Sequence, residues 1–174
     1  MFLCFLMATV GFGLSAEDGS RLWLRFSQTK VQNCHFSGIS ADKSLVAVSE
    51  FLQAWKEMNG TELEFSNKLN DNLLIIGTAG NKLIRKLNIS NYLKDVGNEG
   101  FIIRSIKRDG KNLTVVAANT HNGLLYGVFS LLRIIQTDQF SASLNIIEKP
   151  SYNFRLLNHW DNLDGTVERG YAGH

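Results

Sequence analysis

The side chains best suited to chemistry lie together near the C-terminus, in the run His159-Trp160-Asp161-Asn162-Leu163-Asp164-Gly165-Thr166-Val167-Glu168-Arg169. Asp161, Asp164 and Glu168 invite a reading as a glycosidase pair. Inverting glycoside hydrolysis uses one carboxylic acid to protonate the leaving oxygen and one carboxylate to activate water, about 6.5–9.5 Å apart. Such a pair works only where the fold fixes both groups and desolvates one enough to raise its pKa. Beside these carboxyls, Trp160 offers a flat surface on which a sugar ring can stack, and Asp161 and Asn162 offer partners for hydroxyls. Arg169 offers a planar fork that can grip a carboxylate through two hydrogen bonds.

Other chemistry-bearing residues are more isolated. Gly77-Thr78-Ala79-Gly80 lies between a strand-like and a helix-like segment, as a phosphate-cradling loop does, but it lacks the spacing of either nucleotide motif. His35 and His121 have no partner at metal-ligand spacing, and no C-x-x-C or H-x-x-x-H occurs, so neither a metal nor another cofactor is expected. His121-Asn122-Gly123 reads instead as a helix start. Cys4 lies in the apolar N-terminal run, leaving Cys34 alone downstream, where a small buried hydrophobe is the ordinary role. Asn-x-Ser/Thr triplets occur at Asn59, Asn88 and Asn112 and matter only in a eukaryotic secretory pathway.

The elements that position these residues follow from periodicity. Arg21–Phe26 alternates polar and apolar residues and predicts a first strand; Phe36–Ser40 predicts a short second one. Asp42 is placed to cap a helix running to Met58, with Leu45, Val48, Leu52 and Trp55 on one face and Asn59-Gly60 as its stop. Leu73–Ile76 is wholly apolar, as buried central strands are, and a short helix is expected over Lys82–Leu87. Phe101–Lys107 and Leu113–Ala118 flank Asp109-Gly110, a hairpin signature. Asn122–Ile135 is apolar over more than half its circumference and predicts a helix buried under a sheet. This mixture within one unit points to an α/β fold, a mixed sheet with packed helices, ending near the only proline, Pro150. Tyr152–Leu157 then predicts the start of another strand.

Composition bounds the rest. The 174 residues suffice for one domain with a proper core. A net charge of +2, from 18 basic and 16 acidic residues scattered through the chain, gives no basic stripe, so no nucleic-acid partner is expected. Met1–Leu14 carries no charged side chain and leads through Gly13, Ser15 and Ala16 to Glu17-Asp18, the layout of a secretory signal cut near residue 16. The run is shorter than the roughly 20 apolar residues that span a bilayer, so no membrane anchor is expected. The implied location is secreted or periplasmic.

Arg155-Leu156-Leu157-Asn158-His159-Trp160-Asp161-Asn162-Leu163-Asp164-Gly165-Thr166-Val167-Glu168-Arg169-Gly170-Tyr171-Ala172-Gly173 closely resembles the segment by which α-glucuronidases of glycoside hydrolase family 67 begin their catalytic (β/α)8 barrel. Glu17-Asp18-Gly19 with Leu22-Trp23-Leu24-Arg25 resembles that family's mature N-terminus. Gly123-Leu124-Leu125-Tyr126-Gly127-Val128-Phe129 with Leu132-Arg133 resembles its last accessory-domain helix. The resemblance implies a signal peptide over 1–16, an accessory domain over 17–150 like the one preceding β-hexosaminidase barrels, and the first strand of a truncated barrel over 151–174. It implies a substrate class of glucuronoxylan-derived oligosaccharides, from which (4-O-methyl)glucuronic acid is removed with inversion. It also implies that the catalytic acid and base lie on later barrel strands, so Asp161, Asp164 and Glu168 are not expected to be catalytic and the chain alone is expected to be inactive.

Under that resemblance Arg155–Asn158 would be the first barrel strand and His159–Asp164 its C-terminal loop, the end of the strand that faces a barrel's active site. Trp160, Asp161, Asn162 and Arg169 are then the candidate substrate-binding residues. Trp160 either stacks on a sugar or packs the barrel core, with the pocket favoured. Asp161 and Asn162 either bind hydroxyls or pin the loop. Arg169 either meets the substrate carboxylate or pairs with Asp164 or Glu168. A rival reading from another class is a free-standing module that binds carbohydrate or docks on a partner enzyme, since the α/β unit reads as complete by Pro150. Similar front ends can also precede different barrel chemistry.

Overall fold

The computed structural model describes Phe26, residues 34–152 and residues 154–156. Five strands form one mixed sheet in the order β1-β2-β4-β3-β5: β1 Gly38–Ser40, β2 Leu73–Thr78, β3 Phe101–Arg108, β4 Lys111–Ala118 and β5 Asn145–Glu148. β1, β2 and β4 run parallel, while β3 is antiparallel to both β4 and β5. The long helices are α1 Val46–Asn59 and α4 His121–Gln136; α2 Lys82–Lys86 and α3 Ser90–Leu93 are short.

Connection geometry sorts the helices into layers. α1 joins β1 to β2 and α4 joins β4 to β5, two parallel crossovers that step the same way across the sheet. Parallel crossovers share one hand, so both helices must fall on the same face. They do, in a core with Leu74, Ile76, Ile103 and Val116, where Phe36 meets Trp55 at 5.1 Å and Phe140 edge-on at 5.6 Å. The opposite face carries Leu73, Ile75, Ile102 and Val115 under Ile84, Leu87, Leu93 and Val96 from the α2–α3 region. Because alternate residues of β2 and β4 enter opposite cores, both strands read as continuous apolar runs. The expected α/β architecture of a mixed sheet with packed helices is what the chain forms.

Several local expectations are met. Arg108 pairs with Lys111, leaving Asp109 and Gly110 as a two-residue turn with φ of 51° and 74°, the positive values a tight hairpin turn requires. Gly60 ends α1 in the left-handed region, donating its N–H to Lys56 O at 2.8 Å. α4 lies so close to the sheet that a Cβ on Gly127 would stand 2.9 Å from Val116 Cγ1 and 3.1 Å from Phe101 Cβ.

Three expectations change. Asp42 does not cap α1: the helix starts at Val46 behind an extended Leu45 with no side-chain cap. The Asp42 carboxylate closes the preceding turn instead, accepting from Ser44 N at 2.9 Å and Ser44 Oγ at 2.8 Å, a local bond that an Asp makes two residues ahead. The buried stripe of α1 is Ala47, Val48, Phe51, Ala54, Trp55 and Met58, with Leu45 and Leu52 only half-buried at its margin. Two alanines in that stripe let α1 approach its neighbours. Finally, Tyr152 and Phe154–Leu156 form no strand, because no ladder partner lies beside them among the described residues. The expected strand over Arg21–Phe26 lies outside the described residues except for Phe26, which is half-buried against the α1–α4 core.

Candidate functional site

Trp160, Asp161, Asn162 and Arg169, with Asp164 and Glu168, lie outside the described residues. The structure describes the approach to them: the end of β5, then Lys149–Tyr152 and Phe154–Leu156. Two concave regions flank this segment. One of about 440 Å³ is lined by Phe101, Tyr126, Phe129, Ser130, Arg133 and Glu148. The other, of about 490 Å³, is lined by Val96–Glu99 together with Lys149, Pro150 and Tyr152.

The walls of both are held by the start of α4. Thr120 caps that helix, its Oγ1 accepting from Gly123 N at 3.2 Å while its hydroxyl donates to Asn98 O. The Asn119 side chain donates to Leu93 O at 2.8 Å and Gly97 O at 2.9 Å, fixing the loop that carries Glu99. Arg155 then reaches back from the exit segment, pairing with Glu99 and placing its guanidinium 5.9 Å from the centre of the Tyr126 ring. Sequence reasoning passed over Tyr126, Arg133, Glu148 and Glu99. A signal was present: Tyr126, Phe129, Ser130 and Arg133 recur at three- and four-residue steps along one stripe of α4, away from its most apolar face.

Asp42 and Glu62 are both shifted away from what a catalytic acid needs. A catalytic acid needs a carboxyl whose pKa is raised. Hydrogen bonds from the Ser44 backbone and then its side chain hold Asp42 below the usual carboxylate range. The Lys56 ammonium does the same for Glu62, 2.5 Å away. Burial alone pushes the Cys34 thiol from an ordinary 9.0 up to about 12, which leaves it protonated and a poor nucleophile. Among the described residues no three His, Cys, Asp or Glu side chains converge as metal ligands, and no helix is long and apolar enough to cross a membrane. Amides at and just after the Gly77–Gly80 turn are bonded within the protein. Ala79 N donates to Ala118 O and Asn81 N to Thr78 O, each at 2.9 Å, and the Asn81 side chain takes up the N–H groups of Leu83 and Ile84.

Comparison with known proteins places this arrangement. The family model described as Glycosyl hydrolase family 67 N-terminus matches residues 22–131, and the one described as Glycosyl hydrolase family 67 middle domain matches residues 134–174. The chain belongs to glycoside hydrolase family 67. It is 30% identical over 171 residues to a probable alpha-glucuronidase A of Aspergillus terreus, covering 91% of this chain and 20% of that protein. A probable alpha-glucuronidase A of Neosartorya fischeri is 28% identical over 181 residues, covering 97% of this chain and 21% of its own. Alpha-glucuronidase A of Aspergillus tubingensis is 26% identical over 170 residues, covering 92% and 20%. The family 67 chain thus spans about a fifth of the length of these relatives. Among solved structures, a family 115 4-O-methyl-alpha-glucuronidase described as specific for decorated arabinogalactans superposes on 67% of this chain and 18% of its own, with a TM-score of 0.51 at 18% identity. That likeness is one of fold alone.

Proposed function

We propose that this chain supplies the N-terminal accessory domain and the first part of the catalytic barrel of a secreted α-glucuronidase. The enzyme would remove (4-O-methyl)glucuronic acid from glucuronoxylan-derived oligosaccharides. The observation that carries the reading is the consecutive match of two family 67 regions along the chain, 22–131 and 134–174, with alpha-glucuronidases as relatives across both. In this reading residues 1–16 are a signal peptide, 17–150 the accessory domain and 151–174 the beginning of the barrel. Trp160 stacks on the sugar, Asp161 and Asn162 bind hydroxyls, and Arg169 meets the uronate carboxylate. Catalysis is assigned to none of the described residues in this reading.

The test is to join the chain after His174 to the remainder of the Aspergillus terreus relative. The joined protein is expected to release glucuronic acid from aldouronic acids, and Trp160→Ala in it to raise KM. A joined protein that folds, binds these sugars and leaves them intact would overturn the reading. A free-standing sugar-binding module is favoured by one observation, that the sheet and both helical layers close by Glu148. Calorimetric binding of xylo-oligosaccharide to the 174-residue chain alone would support it.

A further inference from the structure

Among the described residues, one face is left without a cover. Tyr126 is 43% exposed on the outer stripe of α4, where it lines one hollow with Phe101 and Glu148, a cross-strand pair of β3 and β5, the outer strand of the sheet on that side. The opposite outer strand is protected: residues 64–66 run beside β1, with Ile39 N donating to Glu64 O and Ser66 N to Ile39 O, each at 2.9 Å. No such segment lies along β5 among the described residues, which leaves its ladder groups open. The chain leaves β5 against the Tyr126 cavity, and its next apolar side chains, Tyr152, Phe154 and Leu156, are each at least 74% exposed. Scattered exposed apolar residues need no explanation, but a contiguous group around a polar-rimmed hollow marks a binding surface.

We infer that this face, with Phe101, Tyr126 and Phe129 as its apolar floor and Arg133 and Glu148 as its charged rim, is the docking surface for the family's middle domain. Three observations choose that occupant. The middle-domain match begins at residue 134, inside α4, so one wall of the hollow (Glu148) belongs to the matched middle region and the other (Phe101, Tyr126, Phe129) to the N-terminal one. Arg155, within the middle-domain match, already sits on this face through Glu99 and the Tyr126 ring. The matched stretch is only about a fifth of the relatives' length, and the remainder is a body large enough to cover the surface. An aromatic patch edged by an Arg and other charge is also the composition that protein interfaces favour. The inference rests on the proposed function only for the identity of the occupant.

Hydroxyl-radical footprinting tests it, with Tyr92 as internal control. Tyr92 is 40% exposed, matching Tyr126, but lies on the other side of the sheet beneath Arg104, whose guanidinium is 3.7 Å from its ring centre. The 174-residue chain is expected to label at both tyrosines. In the joined protein, or with the relative's middle domain added as a separate polypeptide, Tyr126 and Tyr152 labelling should fall several-fold while Tyr92 holds its rate. Tyr126 labelled at an unchanged rate in both experiments would overturn the inference. So would Tyr126 protection in the short chain that grows with its concentration, which would make a second copy the occupant. Glucuronic acid release is read separately. Release with Tyr126 still labelled sinks the docking face and leaves the function standing; protection without release does the reverse.

Discussion

The residues up to Glu148 and the eight that follow are built on opposite terms. From Phe36 to Leu144 the apolar side chains fill two cores, one on each face of the sheet, and the largest of them, such as Phe51 and Ile75, are fully buried. Of the described residues from Lys149 to Leu156, Tyr152, Phe154 and Leu156 stand in solvent, and Arg155 is tethered to Glu99. The first region is stabilised by its own burial. The second carries the composition of a buried segment without a place to bury, which is what a stretch shared with a neighbouring domain looks like.

Truncation on the two sides of that boundary should separate them most widely. Phe51→Ala, in the middle of the Phe36–Trp55 aromatic group, is expected to cost about 3–5 kcal/mol in denaturant unfolding. Phe154→Ser should stay within about 0.5 kcal/mol, because it removes nothing from a core. Equal losses at both positions would erase the distinction.

Overfilling sharpens the same boundary from inside. Gly127→Leu drives a side chain into Val116 and Phe101 and should destabilise by about 1–3 kcal/mol. The loss should appear in near-ultraviolet circular dichroism as well as in the unfolding midpoint.

Cys34 reports on the core by pH. Its folded pKa is raised by burial, so its contribution is complete below 9.0 and is lost as pH climbs toward about 12, where the unfolded thiol ionises and the folded one does not. Thermal unfolding from pH 8 to 10.5 should therefore show a decline above pH 9.0 that Cys34→Ala lessens. The smallest effect belongs to the exit. Arg155→Ala should change stability by at most about 1 kcal/mol and less in high salt, since both members of the Arg155–Glu99 pair are partly exposed.

Much of the first region was legible in the sequence because its signals are local. Asp109-Gly110 dictates its own turn, Leu73–Ile76 its burial, and Asn59-Gly60 its stop. The start of α1 was not, because Asp42 has a nearer partner in Ser44 than the helix end, and periodicity does not register that competition. The exit face was missed for another reason. Glu99, Tyr126, Glu148 and Arg155 come from four separate stretches of chain, and only the pairing of β5 with β3 brings them to one place. The candidate sugar-binding residues Trp160, Asp161, Asn162 and Arg169 rest on the resemblance of the run that contains them.

The most direct test of the account is to incubate the purified 174-residue chain with aldouronic acids and measure free glucuronic acid. The account predicts none at any pH at which the chain is folded, since the proposed reading assigns the acid and base to none of these residues. Release that scales with protein and survives purification to homogeneity would contradict it, and would move the catalytic carboxyls into this chain.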